Sequence, residues 1–182
     1  MNPLTPVIIA LYWEQRAASV EEAAQQLLVA FHALEDAGLE RWFQKARARR
    51  DAESTAFTPS ADTILALLRN GVNRRDIDRS IIAELGFSMS LWSGGQDEAA
   101  YSLSTHIGCV LPHVGNNFIV QLPATGPFAL QTDLEKTNLL FHRLIQALRP
   151  KQGIVCAAEE IEWHDNLLSP DIRSLARYTH AA

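Results

Sequence analysis

The sequence predicts an α+β fold: an antiparallel sheet of about four to five strands with helices packed mainly on one face. Three observations predict it. Apolar residues recur at helical spacing between Val20 and Leu85, the period drops to two between Phe87 and Cys109, and the strands so marked follow one another through short hairpin connections. With 47% hydrophobic and 20% charged residues, the 182-residue chain can bury a full core, which excludes disorder. Its length matches one domain over 1–182, with a peripheral segment from 165 onward.

Thr5–Trp13 is β-rich and reads as an opening strand. Ser19-Val-Glu-Glu22 spells a capping box, in which the Ser19 hydroxyl accepts from an early helix N–H and Glu22 reaches back. Val20, Ala24, Leu27, Phe31 and Leu34 follow at three-to-four spacing, so the helix runs to about Asp36 and Gly38 stops it. Leu39–Arg50 reads as a shorter helix whose Trp42 and Phe43 anchor a basic flank, and Ala52–Pro59 has loop composition. Ser60 caps a helix through Leu68, with Gly71 just past its end. Asn73 caps another, with Asp76 at the capping-box position, Ile77, Ile81, Ile82 and Leu85 as its buried stripe, and Gly86 ending it.

Beyond Gly86 the alternation is that of strands. Phe87, Met89 and Leu91 alternate with Ser88, Ser90 and Trp92, and Tyr101, Leu103, Thr105, Ile107 and Cys109 alternate with Ser102, Ser104 and His106. The glycine-rich Ser93–Asp97 loop joins them as a hairpin. Asn116–Leu122 is a third strand, ended by Pro123. Thr132-Asp-Leu-Glu135 is a further capping box opening a helix to about Leu148, which Pro150 terminates. Gly153–Trp163 reads as another strand, and Ser169-Pro170-Asp171 begins a last short helix.

The catalytic motifs that carry chemistry are missing. There is no Gly-x-Ser-x-Gly elbow, no phosphate loop, no Cys-x-x-Cys and no His-Glu-x-x-His. His106, Cys109 and His113 come nearest to a metal set, but positions 106 and 109 of one strand point to opposite faces, so no metal and no cofactor is expected. Glu160 and Glu162 would share a strand face beside His164, which fits a solvated edge strand better than an acid/base pair. A small hydrolase would need His106 or His164 in a pocket with one of those glutamates. Cys109 and Cys156 make no disulfide framework and read as buried free thiols. The opening run Val7–Tyr12 lacks the flanks of a signal peptide and no stretch is long enough to span a bilayer, so a cytoplasmic location without membrane contact is expected.

Charge is uneven. Residues 41–79 carry a net +4 within a chain of −5, which leaves −9 elsewhere. An acidic surface repels nucleic acid and attracts proteins that are basic because they bind it. The basic window supports an alternative reading as a small nucleic-acid-binding regulator, which would need Arg47, Arg49, Arg50, Arg74 and Arg75 on one exposed face. Against it, Asp76 and Asp78 occupy the first turns of the supposed recognition helix and would meet phosphates with like charge, so no nucleic-acid partner is expected.

The outer face of the hairpin is the candidate binding surface. Ser88, Ser90, Ser102 and Ser104 form a carpet of small hydroxyls with Trp92 and His106 among them, beside the acidic loop residues Asp97 and Glu98. A large aromatic at such a place has the form of a protein-binding anchor. The same face would equally arise as the solvated side of the sheet.

Several segments together resemble a known family. They are Tyr12-Trp13 with Val20-Glu-Glu-Ala-Ala24 and Leu34, Trp42 with the basic run after it, and Arg69-Asn-Gly-Val-Asn-Arg-Arg-Asp76. Glu84-Leu-Gly-Phe-Ser88 running into Leu91-Trp92-Ser93-Gly94, and then Ser102-Leu-Ser-Thr-His106, continue the match. In this order they resemble immunity protein 52 of bacterial polymorphic toxin systems, from about Tyr12 to Leu122 and more weakly to Trp163. The resemblance implies a non-enzymatic cytoplasmic antidote to a secreted nuclease toxin of restriction-endonuclease-like type, often delivered by type VI secretion. It implies no catalytic or metal site. It does not imply which residues touch the toxin: the motif residues Trp13, Arg74, Asp76, Gly86 and Gly94 are expected to build the fold, and the hairpin face supplies Trp92, Asp97, Glu98, Ser90, Ser104 and His106 as the candidate toxin contacts. Oligomeric state is left open.

Overall fold

A computed structural model describes residues 5–44, 54–95, 97–111, 115–132, 134–162 and 172–180. Eight strands form one wholly antiparallel sheet: β1 Val7–Trp13, β2 Trp42–Gln44, β3 Thr55–Phe57, β4 Phe87–Trp92, β5 Ser102–Ile107, β6 Asn116–Gln121, β7 Gln152–Ala157 and β8 Ser174–Thr179. Their spatial order is β3-β2-β4-β5-β6-β1-β7-β8, so the opening strand lies inside the sheet between β6 and β7. The sheet is thus larger than the four to five strands expected. The additional strands β2, β3 and β8 are short or at the sheet's edges.

Four helices accompany the sheet: α1 Val20–Asp36, α2 Ala61–Asn70, α3 Glu135–Leu148 and the single turn α4 Ala158–Glu162. The first three pack on one face. Leu27, Phe31 and Leu34 of α1, Ile64 and Leu68 of α2, and Leu140, Phe141 and Leu144 of α3 close over Ile9, Leu11, Leu91, Leu103, Phe118 and Val120 of the sheet. Burying each of these large side chains contributes roughly 1.5–3 kcal/mol relative to leaving it in water. Ser19 and Glu22 form the reciprocal cap of α1, and Ser60 caps α2 with Thr63 reaching back. The α3 start differs from expectation: Leu134 is its N-cap without a side-chain bond, because the Thr132 hydroxyl donates to the Ala129 carbonyl instead.

Four further segments depart from the sequence reading. Trp42 and Phe43 lie in a strand and not in a helix. Trp42 faces the core, edge-on to Phe31 at 5.7 Å and to Tyr101 at 4.9 Å, while Phe43 pairs with Trp92 on the opposite face. Opposite faces for consecutive residues require period two. Thr55–Phe57, expected as loop, pairs with β2 as an edge strand. The basic residues Lys45, Arg47, Arg49 and Arg50 lie outside the described residues.

The supposed helix at Asn73–Leu85 is a projecting hairpin followed by one 3-10 turn, Ala83–Leu85. Arg74 bridges Ile81, the Ile82 N–H donates to the Asn73 carbonyl, and Val72 pairs with Phe87. A chain that must return to its point of departure cannot be helical there, since ten helical residues would carry it about 15 Å away. The expected buried stripe is open: Ile77 is 100% exposed and Ile81 53%.

At the other end, β7 stops at Ala157 and the acidic run winds into α4, so the expected strand through Trp163 ends early. Ser169–Asp171 lie outside the described residues, and Ser174–Thr179 is an edge strand. Among the described residues no helix is long and apolar enough to cross a membrane.

Candidate functional site: the second face of the sheet

Cross-strand register assembles the face turned away from α1–α3 into three rows. The first runs Phe43, Trp92, Ser102, Gln121, Ile8, Cys156. The second runs Ser90, Ser104, Ile119, Ala10, Ile154, Arg177. The third runs Ser88, His106, Asn117, Tyr12, Gln152. The first two rows are apolar at β1, with Ile8 and Ala10, and at β7, with Cys156 and Ile154, whereas serines, His106 and Asn117 occupy most of the face on β4, β5 and β6.

The apolar half is covered. Ile8, Ala10, Ile154 and Cys156 pack with Ala158 and Ile161 of α4 and with Ile172 into a second, smaller core. Burial there, aided by the nearby Glu160 carboxylate, pushes the Cys156 thiol up to about 11. Burial also lifts the Tyr12 phenol well above its ordinary range, and the Tyr12 hydroxyl has no hydrogen-bond partner among the described residues. Both cysteines are buried and free.

The polar half is not covered by any described helix. Ser90 and Ser104 are exposed at its centre, and Trp92 sits half-buried at one end beside Phe43. Phe43 was missed in the sequence as a member of this face, because a helical reading of Leu39–Arg50 assigns it no strand partner. Its ring also defines the adjoining loop: a Cβ on Gly94, whose φ is +85°, would stand 2.7 Å from it. The Ser93 N–H donates to the Tyr101 carbonyl and the Ser93 hydroxyl accepts from the Tyr101 N–H, closing the hairpin.

His106 occupies the opposite end, half-buried, with its Nε2 against the Leu85 carbonyl of the 3-10 turn. Ser88 donates to the Gly71 carbonyl, so it is tied down and not part of an open carpet. Asp97 and Glu98 are exposed, but the loop is not free to swing as glycine content alone suggests. The Asp97 carboxylate accepts from the Ala99 N–H at 3.1 Å, and the Glu98 carbonyl accepts from the Ala124 N–H at 2.8 Å. The Asp97 carboxylate and the Glu98 backbone are therefore held in place on the rim.

The motif residues lie elsewhere. The Trp13 indole N–H donates to the Leu148 and Arg149 carbonyls, joining the end of β1 to the end of α3. A Cβ on Gly86 would come within 2.3 Å of the Ile107 carbonyl oxygen. Arg74 donates to the Arg79 carbonyl at 3.2 Å, in the projecting hairpin and not at a helix start. Asp76 is exposed there, and no bond joins it to Arg74.

Catalytic convergence is not seen in this geometry. Strands β5 and β7 are three spacings apart, about 14 Å, so His106 and the Glu160 side of the face do not meet. The run containing Glu160 is helical, where positions two apart do not share a face. No group of three potential metal ligands occurs among the described residues, and His113 and His164 lie outside them.

Comparison with solved structures finds a Pseudomonas aeruginosa protein described as "T6SS protein PA0821", at a TM-score of 0.49 and 13% identity. The match covers 84% of this chain but only 40% of that one. No curated protein matches. The family model for immunity protein 52 matches residues 8–169, most of the chain and nearly the whole of the sheet described above, and the protein belongs to that family.

Proposed function

We propose that this protein neutralises a cognate secreted toxin by binding it directly, and that the toxin is a cationic nuclease. Membership of an immunity-protein family carries the reading. The geometry that supports it is a sheet face whose β4–β5 half no described helix covers, with an aromatic pair, Phe43 and Trp92, at one end and the exposed residues Asp97 and Glu98 on the rim. Small hydroxyls lose little side-chain entropy on being covered, so the surface between them suits a flat contact. An acidic surface outside the 41–79 window would draw a basic partner and speed association. The bare face is proposed to act as a lid on the toxin, in the cytoplasm of the producing cell.

The test is direct. The protein encoded beside this one is expressed with and without it. Rescue of growth is expected, together with co-elution of the purified pair at nanomolar affinity, which an interface of about 1,600 Å² can supply. Equal killing in both cases would remove the immunity reading. A rescued toxin that degrades no nucleic acid would remove only the nuclease assignment.

A further inference from the structure

Strand β2 carries one ring of the aromatic pair, yet its attachment to the sheet is slight. Its register with β4 is a single residue pair, Phe43 with Trp92, and its other neighbour, β3, is a three-residue edge strand. The Trp42 ring is buried edge-on to Phe31, which secures the core side of β2. That anchor holds the middle of β2 but leaves the ladder toward β4 one pair long.

Tyr101 supplies what the ladder lacks. It stands just before β5, with β4 lying between β5 and β2 and ending at Trp92. Its phenol reaches past that end to Arg41, the residue preceding β2. The hydroxyl donates to the Arg41 carbonyl at 2.9 Å and accepts from the Arg41 N–H at 2.8 Å. Facing residues of an antiparallel pair exchange the same two bonds, so one side chain here takes the place of a backbone partner. The Tyr101 ring stands edge-on to Trp42 at 4.9 Å, and burial raises its pKa, which keeps the hydroxyl protonated for both bonds. The Tyr101 backbone is itself fixed, because it exchanges bonds with Ser93 at the neck of the hairpin. Next to that neck is Gly94, where a Cβ would stand 2.7 Å from the Phe43 ring. Phe43 thus rests on Gly94, and the phenol draws the start of β2 toward the same hairpin.

We infer that Tyr101 is a positioning residue for toxin binding: its phenol pins β2 to the β4–β5 hairpin and so holds the Phe43 ring beside Trp92 and over Gly94. The inference rests on the reading proposed above, in which Phe43 and Trp92 anchor one end of the contact surface, and deepens it. An anchor contributes most when its place is set before the partner arrives, since ordering it on contact would cost backbone and rotamer entropy. Tyr101 packs against the main core on the helical side of the sheet, so it acts through Phe43 and not by touching the toxin.

The test uses the full-length protein and the toxin encoded beside it. Tyr101→Phe keeps the ring and removes both bonds. It is compared with the wild type, with Phe43→Ala, with the double variant and with the control Tyr178→Phe. Tyr178 lies on β8, at the opposite edge of the sheet, where its hydroxyl meets His180. In the free protein, Tyr101→Phe is expected to speed amide hydrogen exchange at residues 41–44 about tenfold, with β1 and β6 as protected as in the wild type. Dissociation from the toxin is expected to be about five- to tenfold faster in Tyr101→Phe and unchanged in Tyr178→Phe. Adding Tyr101→Phe to Phe43→Ala should have no further effect on dissociation, whereas a residue that only stabilises the fold would add its own. Unaltered exchange at residues 41–44 overturns the pin. Protection lost throughout the sheet makes Tyr101 a general scaffold residue and overturns the role as well. Faster local exchange with wild-type dissociation, or additive effects in the double variant, overturns the action through Phe43 and leaves the immunity reading intact. Absence of a wild-type complex overturns the immunity reading, and the positioning role with it, whatever the exchange result.

Discussion

Asn116 is buried and makes three hydrogen bonds that the strand pattern around it does not announce. Its amide oxygen accepts from the Cys109 N–H, and its amide nitrogen donates to the carbonyls of Glu14 and Cys109. Asn116→Ala would leave buried backbone groups unpaired, at about 1–3 kcal/mol each, and chemical denaturation should register the loss. Cys156 makes a pH-dependent contribution. Unfolded, its thiol ionises near 9; folded, it is held up to about 11. Between those values the unfolded chain releases a proton that the native state keeps, so stability is intact below about pH 9 and declines as pH rises toward 11. Tyr12 acts in the same direction at higher pH. Denaturation midpoints measured across pH 7–11 should show the decline, and Cys156→Ala should flatten it; a decline unaltered in that variant assigns it to other groups. Trp92→Ala is expected to cost roughly 2–4 kcal/mol of toxin binding, as interface anchors do. Melting of the same variant distinguishes an anchor from a scaffold residue. At this scale the glycines were readable as turn formers, but the reason Gly71 accepts no side chain, the Ser88 carbonyl seventeen residues along the chain, was not.

Elements with their own caps and long apolar stripes were legible. Helix α1 carries Ser19 and Glu22 at its start and Leu27, Phe31 and Leu34 on one face, and the structure keeps all of these in their expected roles. The β4–β5 hairpin was legible for the parallel reason, since alternation over six residues leaves one face for the core and one outside. The segment Asn73–Leu85 was not. Its four apolar residues satisfy helical spacing, but Asn73, Asp76, Asp78 and Ser80 are equally strong turn formers, and only the pairing of Val72 with Phe87 decides between them. Short strands fared likewise: three residues carry too little alternation to outweigh a helical reading at β2 or a loop reading at β3. The loop joining β4 to β5 holds Asp97 and Glu98 through backbone bonds to Ala99 and Ala124. Reversing both charges to lysine should therefore slow association with a cationic toxin, most at low salt, while leaving the dissociation rate nearly unchanged. Stopped-flow association across an ionic-strength series provides the measurement. A salt-independent rate equal to the wild type's would place the rim outside the encounter surface.

The whole molecule is a sheet with helices on one side and a divided second side, and its charge is divided as well. Sequence-specific binding to duplex DNA is expected to be absent at physiological salt, because the chain is net −5 and the arginines of the projecting hairpin are interspersed with Asp76 and Asp78. Gel-shift titration checks this; a submicromolar, salt-sensitive complex abolished by neutralising Arg47, Arg49 and Arg50 would favour the regulator instead. Family membership was also legible at this scale, through short motifs in a fixed order, and the match over residues 8–169 agrees with it. What the sequence determined alone was encoded by near neighbours: the α+β class, the helices capped by Ser19 and Ser60, the β4–β5 hairpin and the alternation that separates Ser90 and Ser104 from Met89 and Leu103. Tertiary structure alone decided how many strands join the sheet, that Phe43 stands beside Trp92, that α4 and Ile172 cover the β1–β7 part of the second face, and that Ile77 projects into solvent. The physical reason is range. Periodicity and capping are set by residues within one or two turns of each other, whereas strand partnership and the coverage of a face depend on segments 50 to 150 residues apart, whose contacts no local pattern records.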